Sequence, residues 1–270
     1  MAAALAVLLT GLLAVGVVSY RWFTGPTCRA VAGGQSFAFS PAQTRNAAII
    51  TAIAMKRGLP ARAATIAIAT AIQESGMINI SHGDRDSLGL FQQRPSQGWG
   101  TPEQILDPVY STNAFYDALI KVDNYTEGEI TAVAQAVQRS AYPEAYADHE
   151  GQGRVLASTL SGHSPAGLAC RLSAATPIQA TSADITAALV AEMGQTGTAE
   201  RDGTITVHTS STRAAWAVAE WAVASADAFG FELVTVANRE WRRGAGRGAL
   251  DWGTTDAPFD GTTVTLTPAS

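Results

Sequence analysis

The chain has 270 residues and a mass of 28.1 kDa, with 47% hydrophobic and only 15% charged residues. That composition allows one or two domains with a real core and excludes a disordered or highly charged chain. A net charge of −5 and a pI near 5.4 disfavour nucleic acid as a partner, because neutralising phosphates takes a surplus of Lys and Arg.

From the N-terminus, Ala2 to Val18 is an apolar run interrupted only by Thr10, Gly11 and Gly16. Its 17 residues reach the lower limit for crossing a bilayer. They exceed the usual core of a signal peptide, although Ala30-Val31-Ala32 has the small-x-small form of a cleavage site. Residues 1–20 are therefore expected to be a transmembrane anchor, or else a signal. No Lys or Arg precedes the run and Arg21 follows it, so the positive-inside rule alone would leave the body in the cytoplasm.

Residues 20–40 read as a Gly-containing linker. Gln43 to Arg57 carries Ala47, Ile50 and Ala54 at helical spacing, and Gly58 and Pro60 stop it. A second helix is predicted from Ala61 to Ser75, with Ala64, Ile68, Ala71 and Ile72 on one face. Residues 76–100 are Gly-rich and polar without a clear period, and a long ordered loop in a compact domain is usually functional. Helical patterns resume at 111–122 and 130–141. Residues 161–180, rich in Gly, Ser, Pro and Thr, read as a linker. Beyond it, helices are predicted at Ile185–Met193 and Ala214–Phe229, and strands at Thr204–His208, Phe231–Ala237 and Thr262–Thr267.

The two cysteines, Cys28 and Cys170, form no CxxC and have no metal-ligand spacing. They are either two unrelated buried thiols or a bridge. A bridge would need Cα atoms about 4.4–6.8 Å apart. It would stabilise by roughly 5 kcal/mol through loop closure and persist only in an oxidising compartment. That places the body outside the cytoplasm, against the weak charge argument.

The informative stretch is Ala71-Ile-Gln-Glu-Ser-Gly-Met77 followed by Gly83-Asp-Arg-Asp-Ser-Leu-Gly-Leu-Phe-Gln-Gln-Arg-Pro95. Glu74 closes an apolar helix and opens the loop. A helix C-terminus and apolar neighbours both favour the protonated acid over the carboxylate. Cleaving a glycosidic bond needs such an acid to protonate the leaving oxygen. Glu74-Ser75, then Ser87-Leu-Gly-Leu-Phe-Gln92 and Pro95, resembles the lytic transglycosylase and goose-type lysozyme pattern, with Phe91 where Met is usual. The block Gln73 to Trp99 also looks like that of exported actinobacterial proteins with a lysozyme-like domain.

The resemblance implies that Glu74 is the general acid/base. It also implies that Gln92 lines a glycan cleft and that Ser87 and the Gly89 backbone shape its floor. Asp84 and Asp86 sit where goose-type lysozymes hold an acidic residue that positions water. They read either as that residue or as turn chemistry. With a water-positioning carboxylate the outcome is hydrolysis; without one, the substrate's own hydroxyl closes an anhydro ring. Transglycosylases carry a later Ala-Tyr-Asn-Ala-Gly segment whose Tyr supports the acid. Its counterpart here is Ala134 to Pro143, without Asn-Ala-Gly, so Tyr142 or Gln138 is expected to substitute. Trp99 and Tyr110 read equally as sugar-stacking or core residues.

Trp216 to Trp221, Ala226 to Gly230 and Asn238 to Trp241 weakly resemble a C-terminal module of actinobacterial cell-wall proteins. That module ends in a His-x-His strand, where this chain has Thr263-Val264-Thr265. His82, His149, His163 and His208 lack ligand-like spacing, so neither metal nor other cofactor is expected. The expected fold is thus a mainly α lysozyme-like domain at 28–170, an N-terminal transmembrane anchor at 1–20 and a small α/β module at 180–270. The expected partners are peptidoglycan glycan strands and, through the N-terminal helix, a membrane. The expected function is glycan-strand cleavage by a single-pass membrane protein with its body outside the cytoplasm, or a secreted one if the N-terminus is cleaved. The alternative is a non-catalytic peptidoglycan-binding or scaffold protein of the envelope.

Overall fold

The structure, a computed structural model, describes residues 25–138, 143–175, 180–256 and 260–269. Strands β1 (Thr27–Ala32) and β2 (Gln35–Phe39) form a hairpin. Its turn, Gly33-Gly34, has φ of 56° and 76°, the left-handed backbone that a type I′ turn requires at both positions. Helix α1 (Pro41–Lys56) starts from a capping box. The Ser40 hydroxyl accepts from the Gln43 N–H while the Gln43 side chain accepts from the Ser40 N–H. Helix α2 (Ala61–Ser75) ends on the left-handed Gly76.

Residues Ala63 to Ala71 of α2 are buried on every side, which makes α2 the central helix of the first half. After the single turn α3 (Pro102–Ile105) come α4 (Pro108–Leu119), α5 (Ile130–Gln138) and α6 (Glu150–Leu160). All of α1, α4, α5 and α6 pack on α2. Helix α6 crosses α2 at Gly153. A Cβ added at Gly153 would lie 2.7 Å from Thr65 O, so small residues on both helices are what let them approach.

Strand β3 (Leu168–Arg171) returns to the hairpin and completes an antiparallel sheet ordered β2-β1-β3, with Cys28 opposite Cys170. The Val31 N–H bonds Gly167 O, whereas the Leu168 N–H points away, to the Glu220 carboxyl. Hydrogen-bonded pairs therefore fall on the odd residues of β1, and Cys28–Cys170 is a non-hydrogen-bonded pair, the kind with the closest Cα atoms. The two cysteines are bonded at a Cα separation of 3.9 Å. That is shorter than the expected range because they face each other directly in register.

The second half opens with α7 (Ser182–Ala188), which runs on as one π-helical turn, Leu189–Met193. Strands β4 (Thr198–Arg201), β5 (Thr204–His208), β6 (Phe231–Val236), β7 (Arg239–Arg242), β8 (Gly253–Thr254) and β9 (Thr263–Pro268) form an antiparallel sheet ordered β4-β5-β9-β6-β7-β8. Alternation turns Ile205, Val207, Val264 and Leu266 inward. Helix α8 (Thr212–Phe229) lies between this sheet and α1, buried from Ala215 to Ala226. The two halves share one apolar core. The half-buried Arg45 pairs with the buried Glu192 and joins them, with Trp221 Nε1 donating to Glu192 Oε2 at 2.7 Å.

These elements overturn the expected mainly α fold with a membrane anchor. Among the described residues 47% are helical and 19% in strands, with sheets of three and six strands. The stretches read as linkers at 20–40 and 161–180 contain β1, β2 and β3, whose few residues were outweighed by their turn-forming neighbours. Among the described residues no helix is long and apolar enough to cross a membrane, and the apolar run at 1–20 lies outside them.

Candidate functional site

Glu74 stands in the last turn of α2, and the segment after it is folded back by a few strong anchors. Asn46 Nδ2 donates to Met77 O at 2.9 Å, and Ser75 Oγ donates to Leu90 O at 2.8 Å. Leu88 and Gln93 exchange backbone hydrogen bonds of 2.9 and 3.0 Å, which closes a tight turn over Gly89-Leu-Phe-Gln92. Leu90 and Phe91 are fully buried, and the Phe91 ring stacks on Phe115 with centroids 4.6 Å apart. Gly89 has φ of 77°, and a Cβ there would lie 2.7 Å from Ile105 O, so no other residue fits the turn. Two apolar pegs and one glycine thus fix a polar loop at the end of an apolar helix.

Between helix end and loop lies a cleft of about 390 Å³, walled by Glu74, Asp84, Ser87, Gln92, Gln93, Arg94, Gln97, Trp99 and Gln138. The Tyr146 hydroxyl donates to Glu74 Oε1 at 2.7 Å from a buried position on the 3₁₀ segment Pro143–His149. Gln138 Nε2 donates to Phe91 O at 2.7 Å and ties α5 to the turn. His149 and Gln73 meet beside the helix end at 3.1 Å.

Of the residues singled out in the sequence, Glu74, Ser87, Gln92 and Gln138 come together on this cleft. Gln92 is held with φ of 47°, its amide donating to Gly89 O at 3.2 Å. A Cβ on Gly83 would fall 1.8 Å from Gln92 Oε1, so Gly83 makes the seat for that side chain. Asp86 is engaged elsewhere: it accepts from the Ser96 N–H at 2.8 Å and from Arg94 Nε at 2.9 Å. Those two bonds, Ser96 first, hold its carboxyl well below the usual aspartate range. It is therefore an ionised staple across the loop, which is the turn role, while Asp84 is the aspartate that lines the cleft.

Trp99 lines the cleft with one side and packs on the core with the other. Tyr110 rests over Gly100, where a Cβ would come 2.8 Å from its ring. Tyr142 lies outside the described residues. The supporting tyrosine that the sequence reasoning missed is Tyr146. It lies four residues past Tyr142, just beyond the end of the segment matched to the family pattern, and only that nearness in sequence pointed to it.

The arrangement offers one carboxyl with a fixed hydrogen-bond partner, amide donors and acceptors on the opposite wall, and an indole flank. With Asp84 and Arg94 also in the wall, that suits a ligand rich in hydroxyl and amide groups. Comparison with known families finds no match to the chain, and comparison with curated proteins finds none either.

Proposed function

We propose that this protein binds the glycan strands of peptidoglycan in the Glu74 cleft and cleaves them as a lytic transglycosylase or muramidase. The observation that carries the reading is the 2.7 Å bond from Tyr146 to Glu74 Oε1 inside a cleft walled by Ser87, Gln92 and Gln138. With Oε1 committed to Tyr146, Oε2 is the atom that presents a proton to the glycosidic oxygen. That oxygen takes the proton and the C–O bond electrons, leaving an oxocarbenium-like centre on the sugar. The Glu74 carboxylate then accepts a proton, either from the substrate hydroxyl that closes an anhydro ring or from an attacking water. Because Arg94 and Ser96 occupy Asp86, the carboxylate that can orient such a water is Asp84. The Cys28–Cys170 bond supports a body outside the cytoplasm, where disulfides persist.

A second reading keeps the cleft as a glycan holder without cleavage. Its support is the wall itself, in which Gln92, Gln93, Gln97 and Gln138 supply amides beside Asp84 and Arg94. Digestion of purified peptidoglycan by the wild type and by Glu74→Gln, with the products weighed, separates the two. Anhydro ends identify a transglycosylase and reducing ends a muramidase. Retained binding without release identifies the holder. For an enzyme, Glu74→Gln should release fragments about 10²- to 10⁴-fold more slowly while still binding glycan, and Asp86→Asn should cost much less. Release by Glu74→Gln at the wild-type rate ends the catalytic assignment.

A further inference from the structure

A carboxyl that delivers a proton has to stay in place, and the hydroxyl that holds Glu74 comes from the 3₁₀ segment Pro143–His149. Hydrogen-bond geometry within a 3₁₀ segment is poor, so such a segment depends on its neighbours for its position. This one packs on α2, α5 and α6. A bond from Tyr146 to Glu74 alone would act as a hinge about which the segment could roll. A second bond opposes that roll. His149 Nε2 meets Gln73 Oε1 at 3.1 Å, one residue before Glu74 on α2.

Tyr146 and His149 are three positions apart, and side chains at that spacing eclipse in a 3₁₀ helix. Both therefore leave the segment on one face, toward α2. Gln73 and Glu74 are consecutive on an α-helix, where neighbours point about 100° apart at 3.6 residues per turn. The two bonds thus grip the end of α2 from two directions, which fixes both the distance and the roll of the segment. The helix they grip is itself well anchored. Ala63 to Ala71 are buried, and Ser75 Oγ ties the last turn to Ala71 O at 3.0 Å and to Leu90 O at 2.8 Å.

The His149 ring is held on its other side as well. His149 is the N-cap residue of α6, yet its side chain caps no backbone N–H. Instead Nδ1 meets Oε1 of Gln152, the third residue of that helix, at 3.1 Å. Both ring partners are glutamines, whose amides present an oxygen on one side and N–H groups on the other. The ring is therefore held whether one nitrogen or both carry a proton. N-cap positions favour Ser, Thr, Asp and Asn, so a histidine that stands there without capping serves the reach to α2 instead. We infer that His149 is a positioning residue of the Glu74 site. Through Gln73 it sets the roll of the Pro143–His149 segment, and so the place of the Tyr146 hydroxyl on Glu74 Oε1. Its part in catalysis rests on the reading of Glu74 as the acid; its hold on Tyr146 does not.

Two substitutions separate this role from that of a helix cap. A glutamine amide reaches where Nε2 stands, and an asparagine amide where Nδ1 stands. His149→Gln should therefore keep the bond to Gln73, while His149→Asn should lose it and give α6 a good N-cap. Glycan release by His149→Asn should fall about tenfold with glycan binding unchanged, and His149→Gln should stay within about threefold of wild type. Gln73→Leu, at an exposed position, removes the same bond from the other side and should match His149→Asn. Adding His149→Asn to Tyr146→Phe should cost less than about twofold more, because the bond it steadies is already gone. Wild-type release by both His149→Asn and Gln73→Leu, full additivity with Tyr146→Phe, or better release by His149→Asn than by His149→Gln would each overturn the inference. A second readout needs no activity: NMR of the whole protein with tyrosine isotope-labelled at ring Cζ. The Tyr146 signal, assigned from its loss in Tyr146→Phe, should move in Glu74→Ala. It should move the same way in His149→Asn and Gln73→Leu, and stay in place in His149→Gln. A signal unmoved in both His149→Asn and Gln73→Leu overturns the positioning role even if the wild type releases no glycan. Failure of that role and failure of the glycan reading are thereby told apart.

Discussion

Replacing both bridge cysteines, Cys28→Ala with Cys170→Ala, removes the only covalent tie between β1 and β3 and leaves their register otherwise intact. The bond has a sequence separation of 142, so it closes a loop of 143 residues. Loop-closure entropy for that length at room temperature is a constant of about 0.6 kcal/mol plus a logarithmic part of about 4.4 kcal/mol, or about 5 kcal/mol in all. Both positions are fully buried, and losing two sulfur atoms from them adds a small cavity cost. Against a total stability of about 5–15 kcal/mol that is a large fraction. In a chain of this size, where 1 kcal/mol shifts the midpoint by about 2–4 °C, the melting temperature should fall by about 10–20 °C. Urea unfolding followed by circular dichroism on the variant, the wild type and the reduced wild type measures it. Reduced wild type and variant should agree to within about 1 kcal/mol. A loss below about 1 kcal/mol for the variant would refute the loop-closure argument and mean that the sheet holds its ends together in the unfolded chain as well.

Tyr146→Phe removes the donor to Glu74 Oε1 and lets the carboxyl turn; glycan release should fall by about 10- to 100-fold with binding of the glycan nearly unchanged. An unchanged release rate would mean that this bond does not position the acid. Gly83→Ala puts a methyl against Gln92 Oε1 and 2.8 Å from Ser87 O, so it should lower glycan affinity by about tenfold, read by pull-down on insoluble peptidoglycan. Retained affinity would remove Gln92 from the binding wall. Burial drives the Glu220 carboxyl well above the ordinary glutamate value, against the opposing N–H bonds from Gly167 and Leu168. The folded state then holds a proton that the unfolded state releases above about pH 4.3, so wild-type stability should fall as pH rises from there toward the raised folded value. Glu220→Gln should flatten that slope, and a wild-type stability that does not change between pH 5 and 9 contradicts the assignment.

The helices were legible where sequence periodicity and stop signals agreed. Ala61 to Ser75 shows in Ala64, Ile68, Ala71 and Ile72 at helical spacing after the stop at Gly58 and Pro60, and the structure places α2 at those bounds. Thr204–His208 was visible as a strand because Ile205 and Val207 alternate with threonines. The three-stranded sheet was not legible, because β1 and β3 are short and only their pairing buries them. The Gly33-Gly34 turn between alternating neighbours was the one local signal, and it was absorbed into a supposed linker. At the cleft, Glu74, Ser87 and Gln92 could be found because they lie in one continuous stretch. Tyr146 could not, because it reaches Glu74 across 72 positions from a 3₁₀ segment with no periodic signature.

The position of the C-terminal half bears on whether it is an independent wall-binding module or part of the machinery that holds the cleft. Three of its side chains converge on one short strand. Glu220 accepts from the Gly167 and Leu168 N–H groups, Trp252 Nε1 donates to Leu168 O at 2.8 Å, and Trp241 Nε1 donates to Cys170 O at 3.1 Å. As the third strand of its sheet, β3 has only β1 on one side, and without these partners its other edge would expose unpaired backbone groups. Through the disulfide β3 fixes β1, β1 packs under α6, and α6 crosses α2 at Gly153. Helix α2 carries Glu74. The tryptophans and the buried glutamate of residues 180–270 therefore brace, through four successive contacts, the helix that presents the carboxyl. These contacts account for the burial of Glu220, Trp241 and Trp252 and tie the C-terminal half to the sheet that packs against the Glu74 helix's neighbours.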